Sequence, residues 1–270
     1  MIENKEKDNH KKQNKKKIML NVIIVILILT IIGCGVYLAQ YYYKSYKSQK
    51  NIEGLAEEID ESDGLIDVDG VMVQKKYASL YKKNKDFIGW LTIPYTKIYY
   101  PVMQTFEDGE YEDGEYYIYK DFNKEYSASG LLFADSACSI ELPTDNIIIY
   151  GHNMKTGTMF KDLFKYESEE FYKAHKNFTF NTIYEDGTYE VVAVFYSKIY
   201  PATDVGHFKY YQFVHAGHEE EFLEYVKGIQ SLSIYDTGVN VEYGDKLVTL
   251  STCAYNVKNG RFAVIGKRIK

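Results

Sequence analysis

The chain has 270 residues, of which 46% are hydrophobic and 26% are charged, as is ordinary for a protein that buries a core. This composition excludes a disordered or collagen-like protein, and three cysteines are too few for a disulfide-stapled miniprotein. Residues 1–17 carry seven lysines, although the whole chain has a net charge of −6, so the remainder is strongly acidic. Because phosphate binding needs a basic face, this acidic body excludes nucleic acid as a partner.

Residues 18–39 form an uncharged, mainly apolar segment, long enough to cross a bilayer as a helix of about 33 Å. The lysines precede it, so the positive-inside rule predicts a cytoplasmic tail over 1–17 and a body outside the cell. A cleaved signal peptide and a lipid anchor at Cys34 are the alternatives. The apolar run is longer than a signal peptide needs and continues beyond Cys34, which favours an uncleaved single-pass anchor.

After the anchor, residues 40–84 are predicted to form a stalk and short N-terminal helices, and residues 85–270 form one β-rich domain without an internal linker. Short β-rich runs between turn residues predict eight strands. They are expected at 88–93, 98–104, 116–121, 130–134, 146–151, 189–199, 246–253 and 261–269. An amphipathic pattern predicts one helix over 219–230. The expected fold is mainly β, as a closed or nearly closed eight-stranded barrel.

Two patterns raise the question of a metal. The acidic repeat at 107–116 suits calcium by residue type, but its spacing matches no known ligand loop, so a solvated acidic loop is expected. His207, His215 and His218 suit zinc by residue type, but they lack a regular ligand spacing and are expected at the surface. We therefore expect neither a metal site nor a cofactor.

Cys253 ends an apolar strand, and an alternating pattern separates it from the face that carries Val248 and Leu250. Arg261 opens the next strand, and pairing of the two strands would bring its charge to the thiol and favour the thiolate. His152 follows the apolar strand 146–151, where it could serve as a general acid or as a charged partner for the thiol. Cys138, in a polar loop without a base or a positive charge beside it, is expected to be inert.

These residues carry a family resemblance. Thr-Leu-Ser-Thr-Cys at 249–253, the later Arg261, and Tyr-Gly-His-Asn-Met at 150–154 resemble the motifs of the sortases. Sortases are membrane-anchored cysteine transpeptidases of Gram-positive bacteria. The chain is similar to class B members in particular, in its motifs at 87–91 and 119–123 and in a helix placed before the cysteine strand.

The resemblance implies a sortase β-barrel with N-terminal helices and a two-step reaction. Cys253 would attack the threonine carbonyl of a C-terminal sorting signal, His152 would protonate the leaving amine, and Arg261 would stabilise the oxyanion or hold the peptide. Tyr150 and Ser251 match positions that line the peptide groove of class B sortases.

The resemblance also suggests that Ser129 and Leu131 form the opposite wall of that groove. Some class B members have an acid directly after the cysteine, where this chain has Ala254. Its side chain brings no charge, so only its backbone N–H is offered as an oxyanion donor.

The implied partners are secreted proteins that bear a sorting signal, together with an amine of the peptidoglycan precursor or of a pilin. Two other functions remain open. One is a cysteine peptidase that only hydrolyses its peptide, and the other is a non-catalytic cell-surface scaffold. The sequence does not identify the sorting pentapeptide or the amine acceptor.

Overall fold

The computed structural model describes residues 2–105 and 112–270, with side chains for 15–105 and 114–270. The chain divides into two compact units, one ending at Tyr46 and the other spanning Lys47–Lys270. Helix α1 (Ile2–Ala56) contains a segment that is long and apolar enough to cross a membrane, by length and composition. The end of α1 belongs to the second unit, where Ile52 is buried in the core and Leu55 packs against it.

A hairpin of β1 (Leu65–Val68) and β2 (Val71–Gln74) follows α1 and was not predicted. Its turn is Asp69-Gly70, and both residues have positive φ angles, of 56° and 88°. Asp-Gly is a preferred pair for such a turn because glycine adopts this conformation without a steric penalty. A 3₁₀ turn (Lys75–Tyr77) and helix α2 (Ala78–Lys83) complete the region in which short helices were expected.

Eight further strands form a closed barrel. They are β3 (Phe87–Thr92), β4 (Tyr99–Met103), β5 (Leu132–Ala134), β6 (Asn146–Gly151), β7 (Asn177–Thr182), β8 (Thr188–Lys198), β9 (Leu247–Cys253) and β10 (Gly260–Arg268). Their order around the barrel is β10-β8-β7-β3-β4-β5-β6-β9, and pairing of β9 with β10 closes the ring. The pairs β4–β5 and β6–β9 are parallel and the others are antiparallel. The predicted mainly β barrel is therefore confirmed.

One predicted strand was wrong and another was missed. Residues 116–121 were expected as a strand, but the chain forms a 3₁₀ helix over Glu112–Tyr119. The strand that was missed is β7, in which buried residues alternate with more exposed ones. Phe178 and Phe180 are buried in the core, a period-2 pattern that is visible in the sequence.

Two apolar clusters hold the barrel. The interior cluster includes Val248 and Leu250 of β9. The second cluster covers the outer faces of β8, β9 and β10, where helix α4 (Glu219–Leu232) contributes Phe222 and Ile229. Helix α4 is the amphipathic helix predicted over 219–230. The remaining regular segments lie between β6 and β9, and they are 3₁₀ helices at Phe160–Glu167 and Tyr210–Gln212 and helix α3 (Glu169–Ala174).

Candidate functional site

Two neighbouring parallel strands bring His152 and Cys253 to the same end of the barrel. The register of β6 on β9 pairs Tyr150 with Ser251 and Gly151 with Thr252. His152 directly follows the last of these pairs on one strand and Cys253 follows it on the other. Parallel strands lie about 4.8 Å apart, so the two residues are adjacent although 101 positions separate them.

Arg261 reaches the same place from the third strand. In the antiparallel ladder of β9 and β10, Arg261 lies directly opposite Cys253. The backbone N–H of Ala254 donates to the carbonyl of Gly260 at 3.0 Å, which makes Cys253 and Arg261 a non-hydrogen-bonded pair. In such a pair the Cα atoms are about 4.5 Å apart and the side chains approach closely. The strand pairing that would bring Arg261 to the thiol is thus present.

All three side chains line one cavity of about 450 Å³. The arginine is partly buried, and its Nη1 donates to the carbonyl of Gly260 at 3.1 Å. The thiol is partly exposed, so a substrate can reach it. The cavity wall also includes Glu115, Phe133, Asp135, Tyr150, Tyr211 and Gln212. A thiol, an imidazole and a guanidinium group therefore face one space.

The imidazole of His152 is held by the 3₁₀ helix that was predicted as a strand. Its Nε2 lies 2.8 Å from the carbonyl oxygen of Ile118, and its ring lies beside that of Tyr119, 5.4 Å away between centroids. Because a carbonyl oxygen only accepts, Nε2 carries a proton, which leaves Nδ1 for proton transfer in the neutral form. Burial lowers the pKa of His152, and the hydrogen bond to Ile118 opposes that shift.

Short contacts fix the loop around His152. Gly151 has no room for a side chain, since a Cβ atom there would meet Leu132 at 2.4 Å and Phe160 at 2.7 Å. The hydroxyl of Thr252 donates to the Gly151 carbonyl at 2.7 Å, and the side-chain amide of Asn153 donates to the Cys253 carbonyl at 3.0 Å. The ends of β6 and β9 are therefore linked through side chains as well as through the ladder.

The two groove residues taken from the resemblance line the same cavity. The hydroxyl of Tyr150 donates to the carboxylate of Asp135 at 3.1 Å, and burial raises the pKa of Tyr150. The hydroxyl of Ser251 lies 2.7 Å from that of Tyr210, which is fully buried. Burial raises the pKa of Tyr210 to about 12, and the hydrogen bond with Ser251 and the positive charge of Arg261 oppose that shift.

Three other residues lie differently from what was expected. Ser129 and Leu131 are buried and are not among the described residues that line this cavity. Leu131 instead borders a small space beside the end of α1. The oxyanion role offered for the backbone of Ala254 needs correction, because its N–H is buried and already donates to Gly260.

The metal alternatives gain no support. Among the described side chains of 15–105 and 114–270, no three His, Cys, Asp or Glu residues come together. His207 pairs with Asp204, His215 pairs with Asp145, and His218 caps helix α4. The calcium alternative at 107–116 falls largely outside the described residues.

Sequence reasoning missed several residues that shape the site. Asp135, Asn153 and Tyr210 were given no role, and the carbonyl of Ile118 was expected in a strand. Asn153 was part of the quoted histidine motif, so its position next to His152 was the available signal. No comparable signal marks Asp135 or Tyr210, because their contacts depend on the three-dimensional arrangement.

Known proteins resemble this chain in sequence and in structure. A family model for the sortase domain matches residues 91–269. Sortase B of Listeria monocytogenes is 34% identical over 73% of this chain and 75% of its own length. A crystal structure of sortase B from Bacillus anthracis matches with a TM-score of 0.70 and 29% identity, over 85% of this chain and 99% of that one. A substrate complex of Staphylococcus aureus sortase B matches with a TM-score of 0.70 and 25% identity, over 84% and 99%.

Proposed function

The chain belongs to the sortase family, as a class B cysteine transpeptidase, and on that premise we propose that Cys253, His152 and Arg261 carry out its reaction. The substrate is a secreted protein with a C-terminal sorting signal, which is cleaved after threonine and joined to an amine of the cell wall or of a pilin. The observation that carries this proposal is that one cavity is lined by these three side chains at the end of the barrel.

Cys253 attacks the threonine carbonyl carbon, and the peptide bond to the next residue breaks. The product is a thioester between the enzyme and the shortened protein. A thioester keeps the acyl group in a form that an amine attacks readily, so covalent catalysis divides one difficult exchange into two easier steps.

His152 takes the proton of the Cys253 thiol and gives it to the leaving amine in the first step, and in the second step it takes a proton from the attacking amine and returns it to the Cys253 sulfur. Because Nε2 is bound to the Ile118 carbonyl, the proton moves through Nδ1. Arg261 stabilises the negative charge that develops on the carbonyl oxygen. Its planar guanidinium group, with five N–H donors, suits an oxyanion better than the ammonium group of a lysine does. Arg261 lies opposite Cys253 in the strand pair, so this group is close to the reacting carbonyl.

Tyr150 and Ser251 form part of the wall against which the peptide lies. Each stands two residues before a catalytic residue, on the same face of its strand. The Staphylococcus aureus relative is known as a complex of sortase B with its substrate, which supports a substrate-binding role for the corresponding part of this chain. For transfer to exceed hydrolysis, this wall and the bound peptide must keep water from the thioester.

The enzyme is anchored through the apolar segment at 18–39, with residues 1–17 in the cytoplasm and residues 85–270 outside the cell. The lysines before the segment support this orientation. Exported substrates and cell-wall amines are both found on that side of the membrane.

The test uses the full chain in detergent micelles with a library of pentapeptides that contain threonine, with and without triglycine or a diamino acid as acceptor. Mass spectrometry follows the products. Cys253→Ala is the inactive control, since removing a nucleophile costs covalent enzymes on the order of 10⁶-fold in turnover. Cys138→Ala is the matched control, because that thiol is buried and burial raises its pKa to about 12.

An amine-linked product that requires Cys253 but not Cys138 is the expected result, and it would also name the signal. Thiol-dependent hydrolysis that ignores both acceptors would favour the peptidase. Turnover retained by Cys253→Ala would contradict the proposal.

A further inference from the structure

The peptide unit that follows the nucleophile is held at both ends. The carbonyl oxygen of Cys253 accepts from the side-chain amide of Asn153 at 3.0 Å. The N–H of Ala254, in the same peptide plane, donates to the carbonyl of Gly260 at 3.0 Å. One bond comes from the chain after β6 and the other from β10, so the plane cannot rotate without breaking a contact. The orientation of the Cys253 Cα–Cβ bond depends on this plane.

A side chain makes the first of these bonds because the backbone of β6 has left the ladder. Regular pairing with β9 ends at Gly151 and Thr252. Beyond that point Asn153 pairs with Met159 in an isolated bridge, and the carbonyl of His152 accepts from the N–H of Phe160 at 2.9 Å. The side-chain amide of Asn153 thus extends the parallel ladder by one hydrogen bond, at the level of the nucleophile.

Asn153 is itself firmly placed. It is 8% exposed, and its carbonyl accepts from the hydroxyl of Tyr255 at 3.5 Å. Its bridge partner Met159 has a φ of 55°, an unfavourable conformation for a residue with a side chain. That conformation is supported by the burial of Met159 and by its N–H, which donates to the hydroxyl of Tyr100 at 3.2 Å. The loop holds the amide in a defined position.

From these contacts we propose that Asn153 is a positioning residue, which sets the placement of His152 relative to the sulfur of Cys253. It is the chain neighbour of the histidine and the hydrogen-bond partner of the cysteine, so one side chain connects the two groups. The inference rests on the proposed function for its effect on turnover. A misplacement of about 1 Å in such a pair costs up to about 10²-fold in rate.

The test replaces Asn153 by leucine, which keeps its size and removes the donor. The matched control is Gln74→Leu, since Gln74 is partly buried and its side-chain amide also donates to a backbone carbonyl, that of Thr182, at 2.8 Å. Asn153→Ala is a second variant in case leucine does not fit. Thermal unfolding of each full-length variant in detergent reports whether it is folded.

The readout is the rate at which iodoacetamide alkylates Cys253 between pH 5 and 10. Peptide mapping separates Cys253 from Cys34 and Cys138. A His152→Gln variant provides the profile of a thiol that lacks its imidazole neighbour. The profile of Asn153→Leu should move toward that of His152→Gln, whereas the profile of Gln74→Leu should coincide with that of the wild-type enzyme. This readout needs no peptide substrate.

With the peptide and acceptor found by the library experiment, Asn153→Leu should lower kcat by about 10- to 100-fold and leave KM within about twofold. The proposal is overturned if the Asn153→Leu profile matches the wild-type profile, or if Gln74→Leu shifts the profile equally. Coincident wild-type and His152→Gln profiles would overturn it as well. If the profiles behave as expected but no peptide is transferred, the positioning role stands and the proposed function fails.

Discussion

The two faces of strand β9 are both buried, but they differ in what they bury. The interior face carries Val248 and Leu250, which pack in the barrel among apolar side chains. The outer face carries Thr249 and Ser251, which are buried and bound to polar groups of other elements. Cys253 ends the outer face, where the covering elements leave the cavity open.

This difference separates stability from chemistry within a single strand. Apolar contacts on the interior face have no direction, so they hold the strand without fixing the angle of any side chain. Hydrogen bonds on the outer face have a geometry, and they place polar groups in a row that leads to the thiol. Alternation in the sequence predicts that Cys253 lies on the face opposite Val248 and Leu250, and in the structure α4 and the Tyr210 segment cover that outer face.

The largest expected effect comes from the interior face. Leu250→Ala should lower the free energy of unfolding by about 2–5 kcal/mol, because Leu250 is fully buried and the variant leaves a cavity. Urea denaturation followed by the fluorescence of Trp90, the single tryptophan, measures the loss. The alkylation rate of Cys253 in the folded variant should match that of the wild-type enzyme, and a changed rate would show that the two faces are not independent.

The fold and the meeting of His152, Cys253 and Arg261 at one cavity were largely predictable because local patterns carry them. Apolar strands, an Asn-Gly turn before Arg261 and a histidine at a strand end are all visible in short segments. The prediction of a strand at 116–121 was wrong because the tyrosines there favour a strand locally, whereas tertiary contacts decide the conformation. Tyr117 donates from its hydroxyl to Asp86, and the carbonyl of Ile118 bonds to His152.

The supporting contacts were not predictable for a related reason. The hydrogen bond from Ala254 to Gly260 follows from the register of two strands, and register is set by the whole sheet. The neighbours Tyr210 and Ser251 are 41 positions apart in the sequence. Residues brought together by the closure of the barrel leave no local pattern.

A smaller effect is expected on the outer face. Ser251→Ala or Tyr210→Phe leaves one buried hydroxyl without its partner, which should cost about 1–3 kcal/mol of stability. The double variant should cost less than the sum of the two, because no unpaired hydroxyl remains. Urea denaturation of the four proteins gives the coupling free energy from a double-mutant cycle. Additive losses would indicate that the two hydroxyls do not interact, and the outer face would then resemble the interior one.

The smallest effect concerns His152, which stands beside the end of the outer face. Burial lowers its pKa below 6.5 in the folded protein, so the unfolded chain binds more protons just below that pH. Its contribution to stability is therefore complete above about pH 6.5 and declines as the pH falls through the lowered value.

His152→Gln removes this dependence, so the stability of the wild-type enzyme relative to the variant should fall between pH 7 and pH 5. The carboxyl of Asp145 changes its charge only at a lower pH than His152 does. Burial alone would raise the pKa of Asp145, but hydrogen bonds from Lys246 and from the N–H of Ala216 hold this pKa below its ordinary value of 3.8. Urea denaturation of both proteins at each pH measures the difference. A difference that stays constant or grows toward pH 5 would mean that the folded protein does not disfavour the charged imidazole, and that the outer face ends in a solvated site.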